Sequence, residues 1–215
     1  MPAFSWRQAR WSIGLLGFTL FSFASDRAAA LDVVLVEEHW ELHVGGPDVG
    51  RSAPQLTMLM SPTASTDSDF FLVNLNHWTI PDYEPGGIQV HRWLGDNVKA
   101  AAHSSNYAPL AADAEIISWV QRMSIAGGQL KFEVVNGNSQ SWGSFGGNGQ
   151  LKLTHATALT RLNDYHPSVS LSHSGVGYAG NRVSVFVLKR LRWITSDDEM
   201  HEMIAPIDIS VDLDP

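Results

Sequence analysis

This sequence predicts an antiparallel all-β sandwich of about nine or ten short strands. Three observations carry that prediction. Short stretches dense in Val, Ile, Leu, Phe and Trp recur along the chain, several with every second residue apolar, which is the period of a half-buried strand. Breaks rich in Gly, Asn, Ser and Pro separate them. No regular exchange of strands with long helical segments occurs, as a parallel sheet would require.

The first thirty residues read as an export signal rather than as part of the fold. Arg7 and Arg10 make a basic start, residues 11–24 are uncharged and largely apolar, and Ala28-Ala29-Ala30 supplies small residues before a cleavage site. The apolar run falls short of the roughly 20 residues that a membrane-spanning helix needs, and no later segment is apolar enough to cross a bilayer. The expectation is a secreted or periplasmic protein whose mature part, 31–215, is one domain.

Removing three Arg and one Asp with the leader takes the formal charge from −8 to near −10. An acidic surface of that kind disfavours nucleic acid, whose binding rests on neutralising phosphates. With no cysteine in the chain, the fold relies on its core and not on disulfides.

Taken in order, residues 32–44 form the first expected strand, with Val34, Val36, Trp40, Leu42 and Val44 on one face, interrupted by Glu38. Strands at 55–60, 69–78 and 88–94 follow, with turn signals at 81–87 and 95–97. Residues 98–112 read as a strand followed by a loop. Residues 115–125 and 129–135 form a hairpin across Ala126-Gly127-Gly128. The Asn/Ser/Gly-rich stretch 136–149 predicts either a long mobile loop or two very short strands, and further short strands are expected near 151–153 and 158–162. Glycine-rich 175–180 leads into an inner strand reaching Trp193. Its alternation slips at Lys189, which predicts a β-bulge there. The acidic segment 195–215 is expected as an edge strand or loosely packed tail.

Glu37, His39, Glu41 and His43 share the second face of the first strand. Carboxylates and imidazoles suit a divalent metal, with His39 and His43 as candidate ligands. Paired carboxylates suit glycoside hydrolysis, with Glu37 and Glu41 as candidate catalytic groups. Alternatively the four simply form a solvated outer face. Neighbouring same-face residues on a strand lie roughly 6.5–7 Å apart, so a single ion would also need a ligand from another strand.

Trp93 shares a face with Gln89 and His91, and Trp142 sits near Phe145 in the Gly/Ser/Asn stretch. A flat aromatic ring beside amides grips a sugar by stacking on its apolar face while polar groups take the hydroxyls. These five residues are the expected ligand-binding set. Acidic clusters at Asp67 and Asp69, and at Asp197, Asp198 and Glu199, are compatible with structural calcium, although neither has an EF-hand pattern. Gly175-x-Gly177-x-x-Gly180 precedes a strand, so it lacks the following helix of a dinucleotide site.

The run from Ser174 to Trp193, together with Trp142-Gly-Ser-Phe-Gly-Gly147, resembles uncharacterised secreted bacterial β-sandwich proteins. More distantly the chain is similar to the concanavalin-A-like lectin and glucanase fold, a jelly roll. The first resemblance brings no known activity. The second implies a Glu-x-Asp-x-(x)-Glu strand in the hydrolases, for which Glu37-x-His39-x-Glu41 lacks the central Asp. The expected function is therefore an exported, non-catalytic, carbohydrate-binding sandwich whose partner is a polysaccharide or glycan. The alternatives are an extracellular glycosidase or lyase, and a purely structural surface or matrix protein.

Overall fold

A computed structural model describes residues 31–45, 54–75, 87–104, 110, 112, 114–178, 180–204 and 206–209. The chain divides into Met1–Ala30 and Leu31–Pro215, and all the described residues lie in the second unit. The expected leader, most of the turn at 81–87 and the end of the tail lie outside the described residues.

Thirteen strands occur among the described residues, paired in antiparallel ladders, with one short α-helix and a single 3-10 turn at Gly180–Arg182. They are β1 (Val33–Val44), β2 (Gln55–Met60), β3 (Asp69–Leu75), β4 (Ile88–Leu94), β5 (Asn97–His103), β6 (Glu115–Ala126), β7 (Gln129–Ser139), β8 (Gly143–Phe145) and β9 (Lys152–Ala156). After the helix α1 (Pro167–Ser172) come β10 (Gly175–Tyr178), β11 (Val183–Thr195), β12 (Met200–Met203) and β13 (Ile207–Asp208). The larger sheet runs β12-β11-β1-β6-β7-β8, with β13 also on β11 and β9 also on β7. The smaller sheet runs β10-β2-β3-β4-β5.

The two sheets share one core. Val36, Trp40 and Leu42 of β1 are buried with Ile117, Trp119 and Met123 of β6 and with Phe186 and Leu188 of β11. Trp40 and Trp119 face each other across β1 and β6, with rings stacked at 6.4 Å. Phe71 of β3 stacks on Phe132 of β7 at 4.7 Å, which joins the smaller sheet to the larger. Asp69 of β3 adds a polar link: it pairs with Arg92 of β4 and contacts His155 of β9 at 3.3 Å.

The β6–β7 hairpin forms as expected. Gly127 and Gly128 both have positive φ, the two-residue turn whose twist matches the flanking strands. The slip at Lys189 is a bulge: β1 pairs His39 with Arg190 but Trp40 with Leu188, leaving Lys189 as the extra residue. A second bulge lies on β7, where Ser118 pairs with Asn138 and Val120 with Val135. Asn136 and Gly137 thus oppose Trp119 alone, and Asn136 takes φ 53°. Both bulges sit level with the Trp40–Trp119 rung.

Several expectations at the margins change. The stretch 136–149 is the short-strand alternative: β7 continues to Ser139 and β8 pairs with it. Glu115, fully buried, ties down the connection by accepting hydrogen bonds from the Ser139 hydroxyl, the Ser141 amide at 2.8 Å and the Ser141 hydroxyl at 2.6 Å. Residues 158–162 are not a strand, and the glycine-rich 175–178 is one, pairing with β2. The tail adds β12 and β13 to the open edge of β11.

Candidate functional site

The outer faces of the two sheets hold the side chains with chemistry to offer. On the larger sheet, alternation in β1 turns Glu37, His39, Glu41 and His43 away from the core, as the sequence indicates. Their partners come from neighbouring strands. Arg122 of β6 grips Glu37 with two nitrogens at 2.6 and 2.7 Å, while Arg192 of β11 lies 3.4 Å from its other oxygen. Lys189 sits 2.7 Å from Glu41, whose other oxygen meets His43 at 3.0 Å. Arg190 approaches Nδ1 of His39 at 3.0 Å, and Nε2 of that ring lies 3.3 Å from Glu37. A guanidinium only donates, so His39 Nδ1 accepts and the ring proton is on Nε2.

This arrangement fixes the protonation of both outward carboxylates. The hydrogen bond from His39, with Arg122 and Arg192 and against the cost of burial, holds the Glu37 carboxyl down at about 2. Lys189 first, and then His43, lowers that of Glu41. Hydrolysis of a glycoside needs one carboxyl protonated and the pair roughly 5–9.5 Å apart. Residues four apart on a strand are ~13 Å apart along the chain. The geometry therefore gives the Glu37/Glu41 pair no acid–base role. By the same spacing His39 and His43 do not converge on one ion, and the Nδ1 lone pair of His39 is already taken by Arg190. No group of three or more metal-ligating side chains occurs among the described residues. Of the acidic clusters, Asp69 is engaged by Arg92 and His155, and Asp197 accepts from the Thr195 hydroxyl at 2.7 Å.

On the smaller sheet the outward residues of β3, β4 and β5 line up in rungs. Phe70, Trp93 and Val98 form the first, Leu72, His91 and Ala101 the second, and Asn74, Gln89 and His103 the third. Gln89, His91 and Trp93 thus share a half-buried outer face, as their spacing predicts. The Phe70 and Trp93 rings are parallel, 5° apart in plane with centroids 6.2 Å apart. Val98 is 49% exposed. His91 and His103 meet edge to face at 6.3 Å. The Trp93 indole N–H is enclosed without an acceptor among the described residues. Such an unmet donor costs about 1–3 kcal/mol.

Trp142 and Phe145 do not belong to this face. Both are core residues, 8% and 5% exposed, packed edge to face at 5.9 Å. The expectation that they present an open aromatic surface is therefore corrected: the Asn/Ser/Gly composition suggested a loop, while Glu115 and the β7–β8 pairing pull both rings inward. Phe70, Val98 and His103 are the residues that sequence reasoning missed. Their signal was the alternation in β3 and β5, but placing them beside Trp93 requires the register between strands.

Glu38 is the other surprise. It is fully buried, with Trp40 Nε1 donating to one oxygen at 3.0 Å and the Tyr165 hydroxyl to the other at 2.6 Å. Burial pushes its carboxyl up, against those hydrogen bonds, and pushes the Tyr165 phenol well up. Gln121, directly opposite on β6, is also fully buried, and its amide has no partner among the described residues.

Comparison with protein-family models finds no match to this chain, and neither does a search of curated proteins.

Proposed function

We propose that this protein is an exported, non-catalytic β-sandwich, jelly-roll-like in the manner of the concanavalin-A fold, that binds a neutral glycan through the outer face of its smaller sheet. One observation carries the reading: the Phe70–Trp93–Val98 rung places an aromatic pair and an exposed aliphatic side chain on three adjacent strands. Two further rungs supply Gln89, His91 and His103 beside it, whereas Asn74 is buried and accepts from the Thr57 hydroxyl at 2.8 Å. Strand spacing makes this surface ~10 Å across and ~14 Å along the strands, large enough to seat sugar rings. Apolar contact at one end and amide and imidazole groups at the other match the two kinds of surface a pyranose presents. Turning the Trp93 ring to bring its N–H to a ligand oxygen would also relieve that enclosed donor.

The test is retention on insoluble cellulose, chitin and β-1,3-glucan, with and without chelator. The parent protein is expected to be held by at least one of them, and Trp93→Ala to lose up to about tenfold in affinity, as an aromatic contact contributes on the order of 0.5–1.5 kcal/mol. Trp93 is half-buried, so the substitution should leave the fold intact by circular dichroism. Absence of retention on every polysaccharide would overturn the proposal in favour of a structural role.

A further inference from the structure

The larger sheet carries a recess, distinct from the face proposed above and independent of it. A groove of about 500 Å³ crosses its outer face, lined by His39 and Glu41 of β1, Ser118 and Val120 of β6, Asn136 of β7, Lys189 and Arg190 of β11, and Ile204 beyond β12. That volume lies within the range of small-molecule sites, ~300–1,000 Å³. The two bulges explain why the groove lies here. Each inserts an extra residue level with Trp40 and Trp119, one on either side of the β1–β6 pair. Bulges bend a sheet and re-aim side chains, and they are over-represented beside active and binding sites. Asn136 is held at φ 53°, a conformation few residues other than Gly and Asn adopt, so its amide is directed at a backbone cost.

The groove is rich in donors. At one end the β11 bulge puts Lys189 and Arg190 side by side, and at the other lie the Ser118 hydroxyl and the Asn136 amide. Only Glu41 adds a carboxylate to the lining. Arg190 donates from Nη2 to His39 at 3.0 Å, but from Nη1 it reaches Glu202 only at the loose distance of 3.6 Å, and its side chain is 36% exposed, so the Nη1 side of its fork faces a groove where a better acceptor can sit. Lys189 pairs with Glu41 at 2.7 Å, but its side chain is 49% exposed, and exposed ion pairs of this kind contribute little to stability. Val120 of β6 supplies apolar contact between the polar ends, and Ile204, following β12, flanks the Lys189/Arg190 end.

We infer that this groove binds a sugar acid, its carboxylate on Arg190 and Lys189, its hydroxyls on Ser118 and Asn136, and its ring against Val120, with Ile204 flanking the carboxylate end. Planar guanidinium recognises carboxylate bidentately, which makes Arg190 the residue that separates an acidic sugar from a neutral one.

Calorimetric titration of the protein with galacturonate disaccharide at low salt tests this, beside the same disaccharide with its carboxyls reduced to alcohols. The acid is expected to bind about tenfold or more tighter than its neutral counterpart, with Arg190→Gln losing about tenfold and Trp93→Ala losing nothing. Raising the salt should weaken the acid alone. Should Arg190→Gln fold poorly, Asn136→Gly keeps the backbone conformation and deletes the amide, and it is expected to weaken the acid several-fold. Equal affinity for acidic and neutral disaccharides, or unchanged binding in both variants, would overturn the inference. Equally tight binding of a glutamate oligomer would overturn the sugar and leave only charge recognition.

Discussion

Glu37 and Glu38 are adjacent, identical in chemistry, and opposite in every physical respect. Strand alternation sends Glu37 outward to His39, Arg122 and Arg192, and Glu38 inward to Trp40 and Tyr165. Their contributions to stability therefore run in opposite directions with pH. The Glu37 carboxyl falls from 4.5 to about 2 on folding, so its stabilisation is complete above about 4.5 and is lost as pH falls toward 2. At roughly 1.4 kcal/mol per pH unit that is at most about 3 kcal/mol, and solvent screening of the part-exposed Arg122 and Arg192 brings it to about 1–2 kcal/mol. Glu37→Gln should lower the urea midpoint at pH 7 and flatten the acid limb of stability between pH 5 and 2. Glu38 is raised by burial, so what it contributes is present below its unfolded value and declines as pH rises through the folded one. Glu38→Gln keeps an acceptor for Tyr165 without the buried charge. It is expected to be about 1 kcal/mol or more stabilising at pH 8, measured by urea unfolding, and to remove that alkaline decline. The alternation of β1 was legible from its apolar residues alone, and Glu38 read as the one interruption in the inward face. Its partners were not legible, because Tyr165 lies 127 residues away in sequence.

Among the elements, β7 and β8 show how close packing overrides composition. A Cβ added at Gly137 would stand 2.2 Å from the Phe145 ring, itself buried, whereas one at Gly149 would meet nothing within 4 Å. Gly137→Ala should therefore cost about 2–3 kcal/mol by overpacking. Gly149→Ala, at φ 84°, should cost only backbone strain of about 1 kcal/mol, so thermal unfolding of the two variants separates the effects. The Lys189 bulge is legible in the sequence because a long alternating run slips there by one residue. The bulge at Asn136 and Gly137 is not, because those residues are also what a loop would use. The helix α1 was equally hidden: six residues, Pro167 first, with His166 as the N-cap, give no period to read.

At the scale of the whole molecule, two antiparallel sheets enclose one core, stapled by Phe71 on Phe132 and by Asp69 between Arg92 and His155. No helix among the described residues is long and apolar enough to cross a membrane. The all-β class was legible because local alternation determines it. The pairing order was not, since β1 lies between β6 and β11, partners remote in sequence. That order spreads Phe70, Trp93 and Val98 over one outer face and Lys189, Arg190 and Asn136 over the other. Glycan binding by the smaller sheet's outer face, as proposed, is tested by following tryptophan indole N–H resonances while a soluble fragment of the retained polysaccharide is added. The Trp93 signal is expected to move while those of the buried Trp40, Trp119 and Trp142 stay. Shifts confined to another tryptophan, with Trp93 unmoved at saturation, would contradict it.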